Sequence, residues 1–518
     1  MAAIHEHSAG VMAKVVNRLK KVRFHPGDVL AGVTVALVLI PQALAYATLA
    51  GVPAGRGLFA AALAPLAAAL FASSPYLATG PTALTSLLTF GALSAIVVPG
   101  SSEYVLLAAL LALLVGVMRI VMGLLRAGPI AYLMSQPVML GFTAGAAVVI
   151  VASQIPAAVG TSAPRGNSLL AALRVLRDPG SWQIEAIPVA LATALLIAGG
   201  KRVHRLFPGI LAAVVLALGF NAAVGYEGIV LGDIESGLPP ISFALPWSSL
   251  SELLAPALVI ALVGFAEPAS IARRYSILDR LRWDPNRELI GQGTANLVSG
   301  LGGGFPVGGS LSRTALARTA GARTRISGAI TGLIVLLFLP FVAILETLPV
   351  AVLAAAIIVT VSDLVQVHRF RDYYRYARLQ FTVALATFLL TVILAPHVER
   401  AVIIGILLAI LAHLWRELRL SIPAWRDGDV LHLAPKGVLY FASAPGLEDA
   451  FGKLLAENPS ANVLNVHLGG LGRVDLTGAL VLRGLMDDAR EGGFEVELSD
   501  VPPQARKIIA RVVDDPGG

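Results

Sequence analysis

Apolar residues dominate the chain from about residue 29 to 418, in runs cut by short polar or arginine-bearing breaks. In order, the runs fall near 29–50, 57–73, 80–98, 104–124, 129–155, 186–200, 207–224, 251–272, 287–301, 310–318, 326–345, 350–366, 379–395 and 399–418, about fourteen helices. A helix crossing a bilayer alone needs ~20 apolar residues. Runs 80–98, 287–301 and 310–318 fall short of that. Short or Gly/Pro-broken segments in matching places of two halves point to a binding site near the membrane midplane. From about residue 422 the pattern shifts to alternation, with strands expected over Asp429–Ala434, Val438–Ser443, Asn462–Leu468 and Phe494–Leu498. Helices are expected over Leu447–Glu457, Asp475–Arg490 and Pro503–Val512. That order predicts a small α/β domain.

The breaks set the orientation. Arginine and lysine gather at 126, 201–205, 273–282, 318–325 and 369–378, whereas the breaks near 225–250, 300–309 and 345–350 hold none. Positive charge collects on the cytoplasmic side, so both termini are expected there. Arg165, Arg174 and Arg177 are exceptions on the outer side. The lipid bilayer is thus the first expected partner. With 56% hydrophobic and 14% charged residues, the composition departs from the roughly 25% charge of a soluble domain. The net charge of +7 sits in these clusters and gives no reason to expect nucleic acid. There is no cysteine, so disulfides and thiolate sites are excluded, and the nine histidines form no metal-binding spacing. Neither metal nor cofactor is expected. The basic stretch Lys14–Arg23 lacks a cleavage site and reads as a surface helix within a cytoplasmic segment, 1–28.

The two halves, about 29–224 and 251–418, resemble each other. VALVLIPQALAYA from Val35 aligns with IALVGFAEPASIA from Ile260, setting Gln42 opposite Glu267 at an offset of 225. GPTALTS from Gly80 aligns with GSLSRTA from Gly309 at an offset of 229. With seven spans each, the halves enter the membrane in opposite senses and form an inverted repeat.

Candidate chemistry centres on GGGFPVGGSLSRT, Gly302–Thr314, which breaks an apolar segment and starts a new helix carrying Arg313, the single arginine read as lying inside the membrane. A guanidinium at the bilayer centre costs roughly 2.5 kcal/mol or more. Pro81 and Ser310 are good helix openers. Two helix N-termini facing each other offer free N–H groups and partial positive charge to an anion, here at Gly80, Thr82, Ala83, Gly309, Ser310 and Leu311. Arg313 adds charge and forked donors. Ser312 and Thr85 add hydroxyls, and Gln42 and Tyr46 from the first span close the pocket. Alternatively Arg313 snorkels outward or ties to Glu267, and the hydroxyl residues merely allow close packing. Glu267 is a candidate proton carrier, raised in pKa by burial and lowered by Arg313. Gly302–Gly304 has no preceding strand and no following GK[ST], which excludes a phosphate loop.

Together these segments resemble the sulfate permease (SulP) family of anion transporters, which includes prestin. The resemblance rests on AGVTVALVLIPQALAYATLAGVPAGRGLF from Ala31, GPTAL from Gly80, PVMLGFTAGAAVVIVASQ from Pro137 and NRELIGQGTANLVSGLGGGFPVGGSLSRTALARTAGARTRISG from Asn286. The tail, 422–518, is similar to a STAS domain. The resemblance implies a membrane all-α fold of about fourteen segments in a 7+7 inverted repeat with core and gate domains (29–421), a cytoplasmic α/β STAS domain, and a homodimer. It places Gln42, Tyr46, Ser312 and Arg313 at anion-binding positions. Some sodium-coupled members carry a hydroxyl one turn after the acidic residue, where this chain has Ile271, so protons are favoured over sodium. Thr477 matches a phosphoacceptor position, with an N-cap role for Asp475 as the simpler reading of that turn, and a cytoplasmic protein partner is an open expectation. The expected function is secondary active transport of a small anion (sulfate, bicarbonate or dicarboxylate) in a bacterial inner membrane, by elevator motion. A channel-like conductor, a nucleobase symporter and a tethered signalling protein are the alternatives.

Overall fold

The computed structural model describes residues 25–129, 135–162, 166–204, 207–417 and 420–512. The helix expected over Lys14–Arg23 lies outside these, as does Arg165. The chain forms two compact units, one ending at Ile406 and the other starting at Leu407.

The larger unit is built from α1 (Pro26–Ala50), α2 (Ala54–Phe71), strand β1 (Thr79–Gly80), α3 (Ala83–Leu93), α4 (Ser102–Leu124), α5 (Gln136–Ala158), α6 (Ala186–Val203) and α7 (Gly209–Val224). The second half follows with α8 (Leu250–Leu278), α9 (Pro285–Leu301), β2 (Gly308–Gly309), α10 (Leu311–Thr319), α11 (Ile326–Phe338), α12 (Val350–Ser362), α13 (Arg378–Ile393) and α14 (Val398–Glu417), whose residues from Leu407 on belong to the smaller unit. Among the described residues, eight helical stretches are long and apolar enough to cross a membrane unaided. In the run expected from 129, α5 starts at Gln136 with Ser135 as its N-cap; residues 130–134 lie outside the described ones. Two amphipathic helices, Ser168–Arg177 and Val367–Tyr376, lie between the apolar ones. The first carries the exceptional Arg174 and Arg177 on its exposed face.

The helices sort into two groups by packing. α1–α4 pack with α8–α11, while α5 packs with α12 and α13, and α6 with α12. The tightest seam joins α4 to α9, where Gly116, Gly123, Gly293 and Gly300 bring backbones together. A Cβ on Gly116 would lie 2.5 Å from Leu297 N, and one on Gly293 2.8 Å from Gly116 O. Small residues let helices approach this closely where no hydrophobic effect drives association in lipid. Between α9 and β2 the chain turns at Gly303, whose φ of 72° suits glycine.

The smaller unit holds β3 (Ala424–Asp427), β4 (Val430–Leu433), β5 (Gly437–Leu439), α15 (Ala444–Glu457), β6 (Val463–His467), β7 (Leu471–Val474), α16 (Leu476–Glu491), β8 (Glu495–Ser499) and α17 (Pro503–Val512). Its main sheet has the order β3-β4-β6-β8, and β5 pairs with β7. Leu431, Leu464, Phe451 and Leu482 are among its core side chains. Two strands escaped the sequence reading. β3 is fully exposed and β7 is only four residues long, so neither shows a clear alternation. The strand expected over Val438–Ser443 stops at Leu439, because Ser443 turns back to donate to Val438 O at 2.8 Å. The histidines are less scattered than their spacing implied: His432 Nδ1 lies 3.0 Å from His467 Nε2 across adjacent strands, beside the Trp425 ring. Among the described residues no cluster suits a metal ion.

Candidate anion site

β1 and β2 run antiparallel, with Thr79 opposite Gly309 and Gly80 opposite Gly308. Ser310 N extends the ladder to Ala78 O at 3.0 Å. Backbone groups inside a membrane must find partners in the protein, and two short strands satisfy each other here. Each then turns into a helix pointing away from the crossing. Thr82 Oγ1 accepts from Thr85 N at 3.3 Å to cap α3, and Ser310 Oγ accepts from Arg313 N at 3.4 Å to cap α10. The helix starts therefore meet at the crossing, with remaining N–H groups and positive dipole ends directed at one place.

Arg313 is 1% exposed. Its Nη1 donates to Gln42 Oε1 at 3.1 Å and its Nη2 to Pro81 O at 2.7 Å. Its Nε is buried without a hydrogen-bond partner among the described residues. The fork expected to face a ligand is instead turned back, joining α10 to α1 and to the start of α3. Snorkelling is excluded by the burial. Gln42 is uncharged, so it orients the guanidinium without cancelling its charge. Gly80 lies beside this side chain: a Cβ there would make ordinary contact with Arg313 Nη2 at 3.7 Å.

Gln42, Tyr46, Thr82 and Ala83 are buried around the crossing, whereas Leu311 and Ser312 are exposed at the mouth of α10. Ser310 Oγ and Ser312 Oγ lie 3.3 Å apart. Glu267 is half-buried on α8, next to Pro268, against which Gly309 packs. It is close enough to Arg313 for their charges to act on each other. Both helices run unbroken past a proline beside the paired residues, Pro41 before Gln42 in α1 and Pro268 after Glu267 in α8. Thr477 belongs to the other unit, exposed in the first turn of α16, where Asp475 Oδ1 accepts from Gly478 N at 2.7 Å. That bond makes Asp475 the N-cap.

The sequence reading missed the polar groups behind the crossing. Asn296 brackets Val307, accepting from its N at 2.9 Å and donating to its O at 3.0 Å. Gln292 donates to Thr79 Oγ1 at 2.8 Å. Arg119 is fully buried in α4 and binds Ala261 O, Ile260 O and Val307 O. Arg313 is therefore not the single intramembrane arginine. The signal was present: Glu288, Gln292 and Asn296 recur every four residues along one face of α9, and Arg119 stands inside an apolar run.

Clasps hold both ends of the crossing. At the arginine-rich end, Arg318 pairs with Asp279 at 2.6 Å and Tyr76 also donates to Asp279. At the other end, Arg56 pairs with Glu235 at 2.9 Å and reaches Gly303 O at 3.4 Å. The hydrogen bonds from Arg318, chiefly, hold the Asp279 carboxyl below its usual range. A depressed carboxyl stabilises the fold above its unfolded pKa, and that contribution disappears as pH falls through the folded value. Asp279→Asn is expected to lower thermal stability at neutral pH by about 1 kcal/mol or less, since the pair is partly exposed. The difference from wild type should vanish in acid; melting curves at the two pH values measure it.

Residues 26–387 match the sulfate permease family and 421–513 match the STAS domain. The chain belongs to the sulfate permease family. A probable sulfate transporter of Mycobacterium tuberculosis is 37% identical over 380 residues, covering 70% of this chain and 66% of that protein, just under two thirds. Murine Slc26a9, an anion transporter solved in the inward-facing state, matches with a TM-score of 0.85 at 20% identity, covering 97% of this chain and 90% of that one. The transmembrane domain of the bicarbonate transporter BicA of a cyanobacterium matches with a TM-score of 0.66 at 26% identity, covering 75% and 99%. The murine likeness extends the sulfate permease fold through the STAS domain. These relatives are transporters.

Proposed function

We propose that this sulfate permease is a secondary transporter of small anions, binding its substrate where α3 and α10 begin. The carrying observation is the antiparallel crossing of β1 and β2, which aims two helix starts at one point beside buried Arg313. The relatives' names support sulfate, a dianion, and bicarbonate, a monoanion, as candidate substrates, with dicarboxylates as further dianions. Backbone donors and a guanidinium turned away from the mouth favour charge and size over a fixed shape. A nucleobase reading is disfavoured because α10 presents a cation where such a ligand wants acceptors.

The two packing groups suit elevator motion. α1–α4 with α8–α11 carry the site, and α5–α7 with α12–α14 form the surface against which they slide. A homodimer held at a bacterial inner membrane, termini on the arginine-rich cytoplasmic side, is the setting we assign. Thr477, exposed on the STAS domain, is available to a kinase or partner protein.

Glu267 is the proposed proton carrier. The sodium alternative needs an oxygen one turn later, yet Ile271 is buried there among Ala31, Val35 and Tyr275. Uptake of a panel of labelled anions into proteoliposomes at two pH values tests the whole reading. Saturable uptake of at least one small anion is expected, and large unsaturable currents would instead mark a channel. Glu267→Gln should abolish the stimulation of uptake by an inward proton gradient while exchange of anion for anion persists. A stimulation equal to wild type would remove Glu267 from the proton path.

A further inference from the structure

Arg119 is a full charge in the membrane interior whose three bonds end on backbone carbonyls: Nε to Ala261 O at 3.1 Å, Nη1 to Val307 O at 3.1 Å and Nη2 to Ile260 O at 3.0 Å. Among the described residues no carboxylate bonds to it. Carbonyl dipoles soften the cost of burying a guanidinium but leave its net charge in place. An asparagine or glutamine would tether one or two carbonyls without that cost, so the charge itself calls for a role.

Its position supplies one. Gly264 is the gap through which Arg119 reaches α8: a Cβ there would lie 2.6 Å from Arg119 Nη2 and 3.5 Å from Thr85 Cγ2. A Cβ on Gly308 would lie 3.3 Å from the same Thr85 methyl. Thr85 is in the first turn of α3, bonded to its cap Thr82 at 2.9 Å. Arg119 thus stands beside the helix start and β2, bonded to Val307 O, while Arg313 reaches Pro81 O at the start of α3. Glu267 lies two turns beyond Ile260 on the same α8, where its charge acts on Arg313.

We propose that Arg119 is a specificity-determining residue, a second fixed positive charge that sets the valence of the anion the crossing accepts. With Glu267 ionised, Arg119 and Arg313 leave the site one positive charge in excess; with Glu267 protonated, two. The first state matches a monoanion and the second a dianion taken up with a proton. The inference rests on the anion-binding reading of the crossing.

Coulomb energy is proportional to the ligand's charge, so removing a fixed charge weakens a dianion by about the square of the factor for a monoanion. Sulfate and perchlorate share a tetrahedral shape and differ in charge. The test measures the Kd of each for purified full-length protein by titration calorimetry, on wild type, Arg119→Gln and Arg119→Lys. Arg119→Gln should weaken perchlorate by roughly tenfold and sulfate by roughly a hundredfold, the sizes expected for one charge about a helix diameter away. Arg119→Lys should retain the wild-type ratio of the two constants, and Arg119→Gln combined with Glu267→Gln should move the ratio back towards it. Equal weakening of both anions, or equal change of the ratio by lysine and glutamine, would overturn the proposal and leave a purely structural tether. Should Arg119→Gln fail to fold, Arg119→Lys alone decides. Raising pH to neutralise the buried amine must lower its sulfate preference relative to wild type, and a ratio that follows wild type at every pH overturns the proposal. Wild type that binds neither anion would refute the anion site itself.

Discussion

Arg313→Ala is expected to abolish anion uptake in proteoliposomes, by a hundredfold or more, while the protein still purifies as a single species on size exclusion. The side chain is buried and bonded to Gln42 Oε1 and Pro81 O. Removing one member of a buried polar set strands the others, at roughly 1–3 kcal/mol for each unsatisfied group. Alanine would also remove the positive charge nearest both helix starts, which the anion needs in the low-dielectric interior. Folding should survive because the β1–β2 ladder and the cap of Thr82 do not involve Arg313, and Ser310 bonds only its backbone N–H, which alanine retains. Arg313→Lys should fall between the two. It retains the charge but, having no planar fork, cannot hold Gln42 and Pro81 in the same geometry. Uptake at the wild-type rate in Arg313→Ala would remove this residue from the site.

Gly293→Leu is expected to prevent recovery of folded protein. A Cβ at Gly293 would already stand 2.7 Å from Ile120 Cγ1, 2.8 Å from Gly116 O and 2.9 Å from Ile120 N, and two of those three are backbone atoms that cannot rotate away. Overpacking of this kind costs about 1–3 kcal/mol and occasionally more. Here it also acts on the site, since α4 carries Arg119 and α9 carries Asn296, both bonded to Val307. Separating the seam would release β2 from behind. Gly293→Ala should show a lowered melting temperature and reduced uptake in proportion to the folded fraction. Gly199→Ala is the control: a Cβ there meets nothing within 4 Å, so alanine should be neutral or slightly stabilising through its helix propensity. A Gly293→Leu protein that melts like wild type would refute the close seam.

Function follows from an arrangement that puts cost and use together. A break in a membrane helix leaves backbone groups unpaired. The crossing pairs most of them, and the groups left at the helix starts are those the proposed anion site would use. The charges nearby are held by neutral oxygens, Gln42 and Pro81 for Arg313, and Ile260, Ala261 and Val307 for Arg119. Neutral partners fix position and leave the field uncancelled.

How much of this was legible in the letters differs from element to element. The number and order of the apolar segments were, because in lipid the need to satisfy the backbone turns a long apolar run into a helix whatever surrounds it. The broken segments showed in their glycines and prolines, and the pairing of GPTAL with GSLSRT showed in an offset of 229, close to the 225 that relates Gln42 to Glu267. Strand β3 was not legible, since an exposed edge strand has no buried face to impose alternation. Nor was the direction of the Arg313 fork, which depends on Gln42 arriving from 271 positions away. Arg119 was hidden for a different reason. Its acceptors are backbone carbonyls, and a carbonyl is the same in every residue, so no partner letter marks the site.

The sequence by itself determined the class of protein, the repeat, the two unwound segments and the family, because those rest on hydropathy, on helix-breaking residues and on local motifs. Only the tertiary structure decided which groups meet at the crossing. It turned Arg313 towards Gln42 and Pro81, set Asn296 and Arg119 behind Val307, and drew α4 against α9 through facing glycines. Each of these is a contact between segments distant in the chain, fixed by packing in three dimensions.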